Sequence, residues 1–407
     1  MATTLACGGC TTAAEEVHDT VVTPSGQHVV IRMVIRREHA GDARRFLAGA
    51  IECVRILDAF DIAPRGEITA IDPPRGGATS LHGNDLALEP TPWWSSPAAM
   101  VPELAAARAI ARRAWSHAIG GSLPSWFAGA LAEYTARRGV MLVFQKSNLT
   151  PGFAMLDMRY LGDYVPWRIR IRLEPDGTTD QLPAYRRRPA VDPRHTRSSD
   201  DERILQAKAL LTLNTLERWI GRPAFDAALA EFARQARARP LALADFTAVA
   251  GAAAGQDLSW MLSPMLTEPV TYDYAVAEVR SDAARDGRFD TRVTIERRGD
   301  GQFTGAAAPR IGPFDSGRGI TILTTFADGD RVADTWDGRD RRKTFRYRSA
   351  ARAASAVVDP DGKLLLDLHR ANNSVALEPK RATAATRWSI RWMVWLQQVL
   401  LTYGALA

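Results

Sequence analysis

Cysteine is scarce in this chain: Cys7, Cys10 and Cys53 are the only three in 407 residues. That number excludes a disulfide framework, and Cys7-Gly-Gly-Cys10 has no second C-x-x-C pair with which to complete a structural zinc site. There is no G-x-S-x-G turn and no Cys-His pair to support a metal-free hydrolase. Zinc fingers, aromatic RNA-binding signatures and basic helices with heptads are missing too, so nucleic acid is not an expected partner. Lys and Arg outnumber Asp and Glu by 52 to 46, a formal net charge of +6. The excess is dispersed along the chain and gives only a weak overall field. Its densest run, from Tyr185-Arg186-Arg187-Arg188 through Arg197, carries Pro and Asp and reads as a solvated linker. A membrane-spanning helix needs about 20 residues with few polar interruptions. The apolar last segment, Thr386 to Ala407, is interrupted by Arg391, Gln397 and Gln398.

The chain is long enough for two to three domains. Alternation around Val29-Val30-Ile31-Arg32-Met33-Val34-Ile35 predicts strands between Val21 and Arg36, turning at Pro24-Ser25-Gly26-Gln27. Ala40 to Phe60 has helical periodicity, with Phe46, Ile51, Val54, Leu57 and Phe60 on one stripe. Ile68-Thr69-Ala70-Ile71 is a short strand. Arg108 to Arg138 then reads as two helices: an Ala-rich run through Trp115, a break at Gly120-Gly121 with Pro124 beyond it, and a second helix from Trp126 to Arg137.

Leu142 to Pro166 is mixed in pattern, and Trp167 to Leu173 alternates as a strand does. Asp201 to Trp219 is an amphipathic helix, followed by further helical segments at Phe225 to Phe232, Asp245-Phe246 and Asp257-Leu258-Ser259-Trp260. From Tyr272 onward short strands alternate with turn signals: Thr291 to Glu296, Ile320 to Phe326, Arg331 to Trp336, Thr344 to Tyr347, Ala354 to Val358 and Leu364 to Leu368, with Asp328-Gly329 as a hairpin turn. Such spacing predicts a small antiparallel sandwich. Trp336-Asp337-Gly338-Arg339-Asp340 reads as a corner of it.

The helix, short turn and helix, with W-F-x-x-x-L-A-E-Y over Trp126 to Tyr134, resemble the zinc-site helix pair of the membrane alanine aminopeptidase family of gluzincin metallopeptidases. The strand, helix, strand order before it, with Asp61-Ile62-Ala63-Pro64 between helix and strand, is similar to the start of that family's thermolysin-like domain. The resemblance runs from about Val21 to Thr267. It implies an α+β chain: a thermolysin-like peptidase domain with a helical region over 21–271, and an all-β immunoglobulin-like sandwich over 272–378. Residues 1–20 are expected to be a disordered terminus or a signal remnant, and residues 379–407 a Trp-rich amphipathic helix.

The family carries H-E-x-x-H on the first helix and a third ligand, a glutamate, on the second. With Trp115 as anchor, H-E-x-x-H falls on Ala109 to Arg113, or on Arg108 to Arg112 if shifted by one. Neither register holds His or Glu, and a guanidinium offers no lone pair to a cation. The third ligand falls on Gly129, or on Leu131 by strict spacing. Glu133 matches a later glutamate of the family pattern. A displacement of two to four residues rotates a side chain by roughly 200 to 400 degrees and raises it by about 3 to 6 Å. The family's amine-binding glutamate falls on Thr79 within Gly76-Gly77-Ala78-Thr79-Ser80. Its oxyanion-stabilising tyrosine falls on Gln206, two residues before Lys208.

These substitutions point to a non-catalytic metallopeptidase-like protein with neither metal nor cofactor, a scaffold for a peptide or protein partner. His117, Glu133 and Lys208 are its candidate groove residues. Read without the resemblance, His117 is a helix C-terminal residue, Glu133 a structural or solvated acid, and Gln206 and Lys208 part of a solvated helix face. The alternative is an active zinc metallopeptidase with ligands recruited from His82, His117 and Glu133. A third reading is a periplasmic module that presents the C-terminal helix. Trp388, Trp392 and Trp395 share one face of that helix, suited to a membrane interface or to docking on protein. Leu5-Ala6-Cys7 and Thr11-Thr12-Ala13-Ala14 look like the tail of an export signal, which places the expected natural start upstream and the protein in the periplasm or on a membrane.

Overall fold

The computed structural model describes residues 2–7, 10–73, 81, 83–91, 99–146, 175–178, 180–305 and 319–377. The expectations for Thr79 and His82, for a strand at Trp167 to Leu173, and for Trp388, Trp392 and Trp395 lie outside the described residues. The chain opens with strands β1 (Ala2–Cys7), β2 (Cys10–Val22) and β3 (His28–Arg36), then helix α1 (Ala43–Ala59), β4 (Gly66–Ile71) and β5 (Leu86–Ala87). Among the described residues seven helices follow: α2 (Val101–Ile119), α3 (Ser125–Lys146), α4 (Gln181–Arg186), α5 (Ser199–Ile220), α6 (Arg222–Ala238), α7 (Leu243–Ala254) and α8 (Ser259–Thr267). Then come β6 (Tyr274–Ala283), β7 (Phe289–Arg297), β8 (Ile320–Phe326), β9 (Arg331–Trp336), β10 (Arg342–Ser349), β11 (Ala353–Val358) and β12 (Ser374–Ala376). The fold is therefore α+β. It forms two compact units, one from Met1–Asp180 with Asp226–Val249, the other from Gln181–Phe225 with Ala250–Ala407.

In the first unit a five-stranded sheet runs β1-β2-β3-β4-β5. The β2–β3 hairpin closes at the expected turn, where Gly26 takes φ +83 and its amide donates to the Thr23 carbonyl at 2.9 Å. The strands β3 and β4 are parallel, joined through α1. The stripe predicted for α1 is buried at Phe46, Val54, Leu57 and Phe60, while Ile51 is half-buried. Glycine allows the three central helices to approach. A Cβ on Gly49 would sit 2.2 Å from the Glu103 carbonyl oxygen in α2, and one on Gly139 in α3 would sit 3.1 Å from the Cys53 backbone in α1. The helix α2 stops at Gly120, with φ +59, and Gly121 follows at φ +77, so the glycine pair makes the break that its sequence signals. Further along, Phe127, Phe232 and Phe246 form an edge-to-face trio with centroids 5.2 to 6.5 Å apart.

The second unit divides the chain elsewhere than at the expected boundary at residue 272. Its helices share a core with the segment after β7: Trp219 of α5 stands edge-to-face with Trp260 of α8 at 5.4 Å and with Phe303 at 5.1 Å. The strands form two antiparallel sheets, ordered β10-β7-β6 and β12-β11-β8-β9, which meet where β6 packs against β11 and β12. Trp336 is buried against Tyr274, with ring centroids 5.7 Å apart. Leu364 to Leu368 is not a strand. Its leucines are buried, but Lys363 and Leu364 donate their amides to the Asp359 carboxylate, Leu365 donates to Thr215 Oγ1, and Asp367 makes only an isolated bridge to Tyr272. Asp359 is only four to five residues upstream, but Thr215 is 150 residues away, and an apolar run read by itself reveals neither. No helix among the described residues is long and apolar enough to cross a membrane.

The contact at Gly49 is backbone against backbone, which no rotamer change relieves. Gly49→Ala gains up to about 1 kcal/mol of helix propensity but overpacks a tight crossing, which costs about 1 to 3 kcal/mol or more. A net loss of stability is expected in urea unfolding, and an unchanged or raised midpoint would refute this packing.

Candidate functional site

The helix pair α2 and α3 is cross-linked by groups that its sequence places inside. Trp115 Nε1 donates to Thr135 Oγ1 at 2.9 Å, and the same hydroxyl donates back to the Leu131 carbonyl at 2.8 Å. A cluster of charges lies one face further round. Glu133 is 3% exposed and both of its carboxylate oxygens are taken. Oε2 accepts from Arg108 Nε at 2.5 Å, and Oε1 accepts from Arg108 Nη2 at 2.5 Å and from Arg137 Nε at 2.6 Å. Arg137, also buried, continues to Asp180. Arg108 Nη1 reaches Glu89 at 3.1 Å, and Glu89 is also paired with Arg112 at 2.5 Å. The whole is charge-balanced, three guanidiniums against three carboxylates.

Burial alone pushes the Glu133 carboxyl up, but the Arg108 and Arg137 guanidiniums outweigh it and hold the acid well below the usual carboxylate range. Both oxygens are therefore anionic, occupied and inaccessible to a metal. Among the described residues no three His, Cys, Asp or Glu side chains gather closely enough to hold a metal ion. Zinc in a catalytic site takes three protein ligands and keeps an open position. The residues at the family positions do not fit it. Arg108 is engaged with Glu133, Ala109 and Leu131 are buried and apolar, Arg112 and Arg113 are exposed cations, and Gly129 has no side chain.

Of the candidate groove residues, His117 and Glu133 are not brought together. His117 is exposed near the end of α2, where it lines a surface pocket with Arg113, while Glu133 is sealed inside the helix pair. Lys208 belongs to the second unit. It is not on a solvated face: it is buried in α5, its Nζ donates to the Glu268 carbonyl at 2.6 Å, and burial pushes its pKa down to about 8 against the pull of Glu268 and Asp192. Gln206, two residues earlier, is half-buried. Sequence reasoning missed Glu89, Arg137 and Asp180 as members of the charge cluster. The i,i+4 spacing of Glu133 and Arg137 was a usable signal for one pair; nothing local marks the other two.

No protein-family model matches this sequence, and no curated protein does. Among solved structures, the chain is similar to a crystal structure of Legionella pneumophila aminopeptidase A in complex with aspartic acid, with 13% identity and a TM-score of 0.49 over 87% of this chain. The match spans 38% of the Legionella chain. A likeness of that size assigns neither activity nor substrate.

Removing the Glu133 charge takes from two guanidiniums the buried carboxylate they share, leaving Arg108 only Glu89 and Arg137 only Asp180 among the ion pairs described above. Glu133→Gln is expected to cost about 3 to 5 kcal/mol, as breaking a buried pair does; Arg108→Met, which leaves Glu133 its bond to Arg137, is expected to cost less. Because the Glu133 carboxyl is depressed in the folded state, its contribution is present above the ordinary value of about 4.3 and is lost as pH falls below it. Urea midpoints between pH 6 and pH 3 should therefore fall more steeply for the unaltered protein than for E133Q. Parallel curves would refute the pairing.

Proposed function

We propose that this chain is a non-catalytic metallopeptidase-like protein related to the aminopeptidases, acting as a scaffold for a peptide or protein partner. The observation that carries the reading is the occupation of Glu133. The carboxylate beside the ligand positions is held by Arg108, which itself stands on one register of the first metal histidine. A fixed guanidinium supplies positive charge there without a Lewis-acid centre, an open coordination position or a water of lowered pKa, the three things peptide hydrolysis by zinc needs. The sandwich in the second unit supports the same reading, since an immunoglobulin-like domain is what the resemblance implies after the peptidase-like part. In this proposal the protein works in the periplasm or at a membrane surface, where the face carrying Trp388, Trp392 and Trp395 meets the lipid interface.

The alternative, a zinc peptidase with non-standard ligands, makes the opposite prediction. Protein purified without chelator is expected to carry substoichiometric zinc by elemental analysis and to leave alanyl- and leucyl-p-nitroanilide uncut. One zinc per chain, together with hydrolysis abolished by a chelator, would replace the scaffold by the enzyme.

A further inference from the structure

In the first unit, the loop after α1 and the end of α2 enclose a pocket of about 290 Å³ with Asn84 and Arg237. That volume sits at the small end of ligand sites, suited to a metabolite-sized molecule. Its floor is apolar, made by the buried Ile62, Ala114 and Ala118, with Ala63 and Pro64 half-buried beside them. Its rim is cationic. Arg65, Arg113 and Arg237 are set against a single carboxylate, Asp61, with the imidazole of His117 alongside.

The three guanidiniums are not equivalent. Arg237 is committed: Nη1 donates to the Asp61 carbonyl at 2.6 Å and Nη2 to the Asp61 carboxylate. That clamp holds Asp61 at φ +55, an uncommon conformation for a residue other than glycine, and fixes the lip of the pocket. It also holds the Asp61 carboxyl below its ordinary range. Arg113 has only a long contact to Asn84 Oδ1, at 3.4 Å, and Arg65 makes no hydrogen bond among the described residues. Among the described residues these two forks line the cavity without a strong hydrogen-bonded partner, Arg65 being drawn to Asp61 only through space. The C-terminal end of α2 opposes an anion here with roughly half a negative charge. Three guanidiniums set against one carboxylate leave a net positive rim that outweighs it.

We infer that this pocket binds a small anion, a carboxylate or phosphate carried on a short apolar body, gripped by Arg65 and Arg113 over the Ile62–Ala114–Ala118 floor. The geometry suits fork-to-oxygen pairing, for which Arg and not Lys is the matched residue. The inference is independent of the reading of Glu133 and stands whether or not the chain cuts peptides.

Calorimetric titration of the full chain at low salt tests it with three probes: inorganic phosphate, N-acetylalanine and the uncharged N-acetylalanine amide. Saturable binding of at least one anion is expected, with none for the amide, and the tighter anion tells phosphate from carboxylate. The exposed double variant R65A/R113A should weaken binding at least tenfold, R113K should weaken it severalfold with the charge kept, and R298A, in the other unit, should not change it. If the double variant fails to fold, R113K carries the test. Absence of saturable binding by either anion, or affinity unchanged in R65A/R113A and in R113K, overturns the proposal.

Discussion

A carboxylate placed between two guanidiniums inside a helix pair is the constraint on which the first unit depends. Glu133 could not be buried alone, because an ionised acid in an apolar interior is stabilised only if paired and hydrogen-bonded. Arg108 and Arg137 bond to both of its oxygens, and Asp180, Glu89 and Arg112 extend the balance outward until it meets solvent. Replacing buried ion pairs with apolar side chains is often neutral for stability. The value of this cluster lies in its directionality: a bidentate fork between α2 and α3 is satisfied at one register and fails at the next turn.

The same cluster links fold to function. Peptide hydrolysis by zinc requires a cation that can accept ligands, and a guanidinium is a cation that can only donate. Arg108 therefore brings positive charge to Glu133 but offers no lone pair or open coordination position of its own. Around it the helices pack tightly. Gly49 lets α1 and α2 cross backbone to backbone, and Trp115 is locked by Thr135. The second unit has its own core, around Trp219, Trp260 and Phe303.

Three arginines of α2 show how one helix serves different ends. Arg108 and Arg112 are four residues apart and lie on nearly one face, so both reach Glu89. Arg113 is turned about 100 degrees further, which carries it away from the buried cluster to the rim of the pocket with His117. Three positive charges close together in the sequence are thus split between an internal lock and an external surface.

Much of this was legible in the residues themselves. Periodicity of two and of 3.6 gave β3, α1, α5 and most strands of the second unit, and Gly26, Gly120 and Gly121 marked turns because their positive φ has few other tenants. The chemistry of Arg108, Arg112 and Arg113 already ruled them out as ligands, since side-chain protonation and lone pairs are properties of the residue and not of its surroundings. Burial and partnership are different. Glu133 as an interior anion, Lys208 as an interior cation, and Leu364 to Leu368 as a buried turn depend on groups 25, 60 and 150 residues away. The assembly of Arg65, Asn84, Arg113 and Arg237 around one cavity likewise joins residues far apart in the chain. Local sequence fixes what a side chain can do; only the closing of the chain on itself decides which neighbour it does it with.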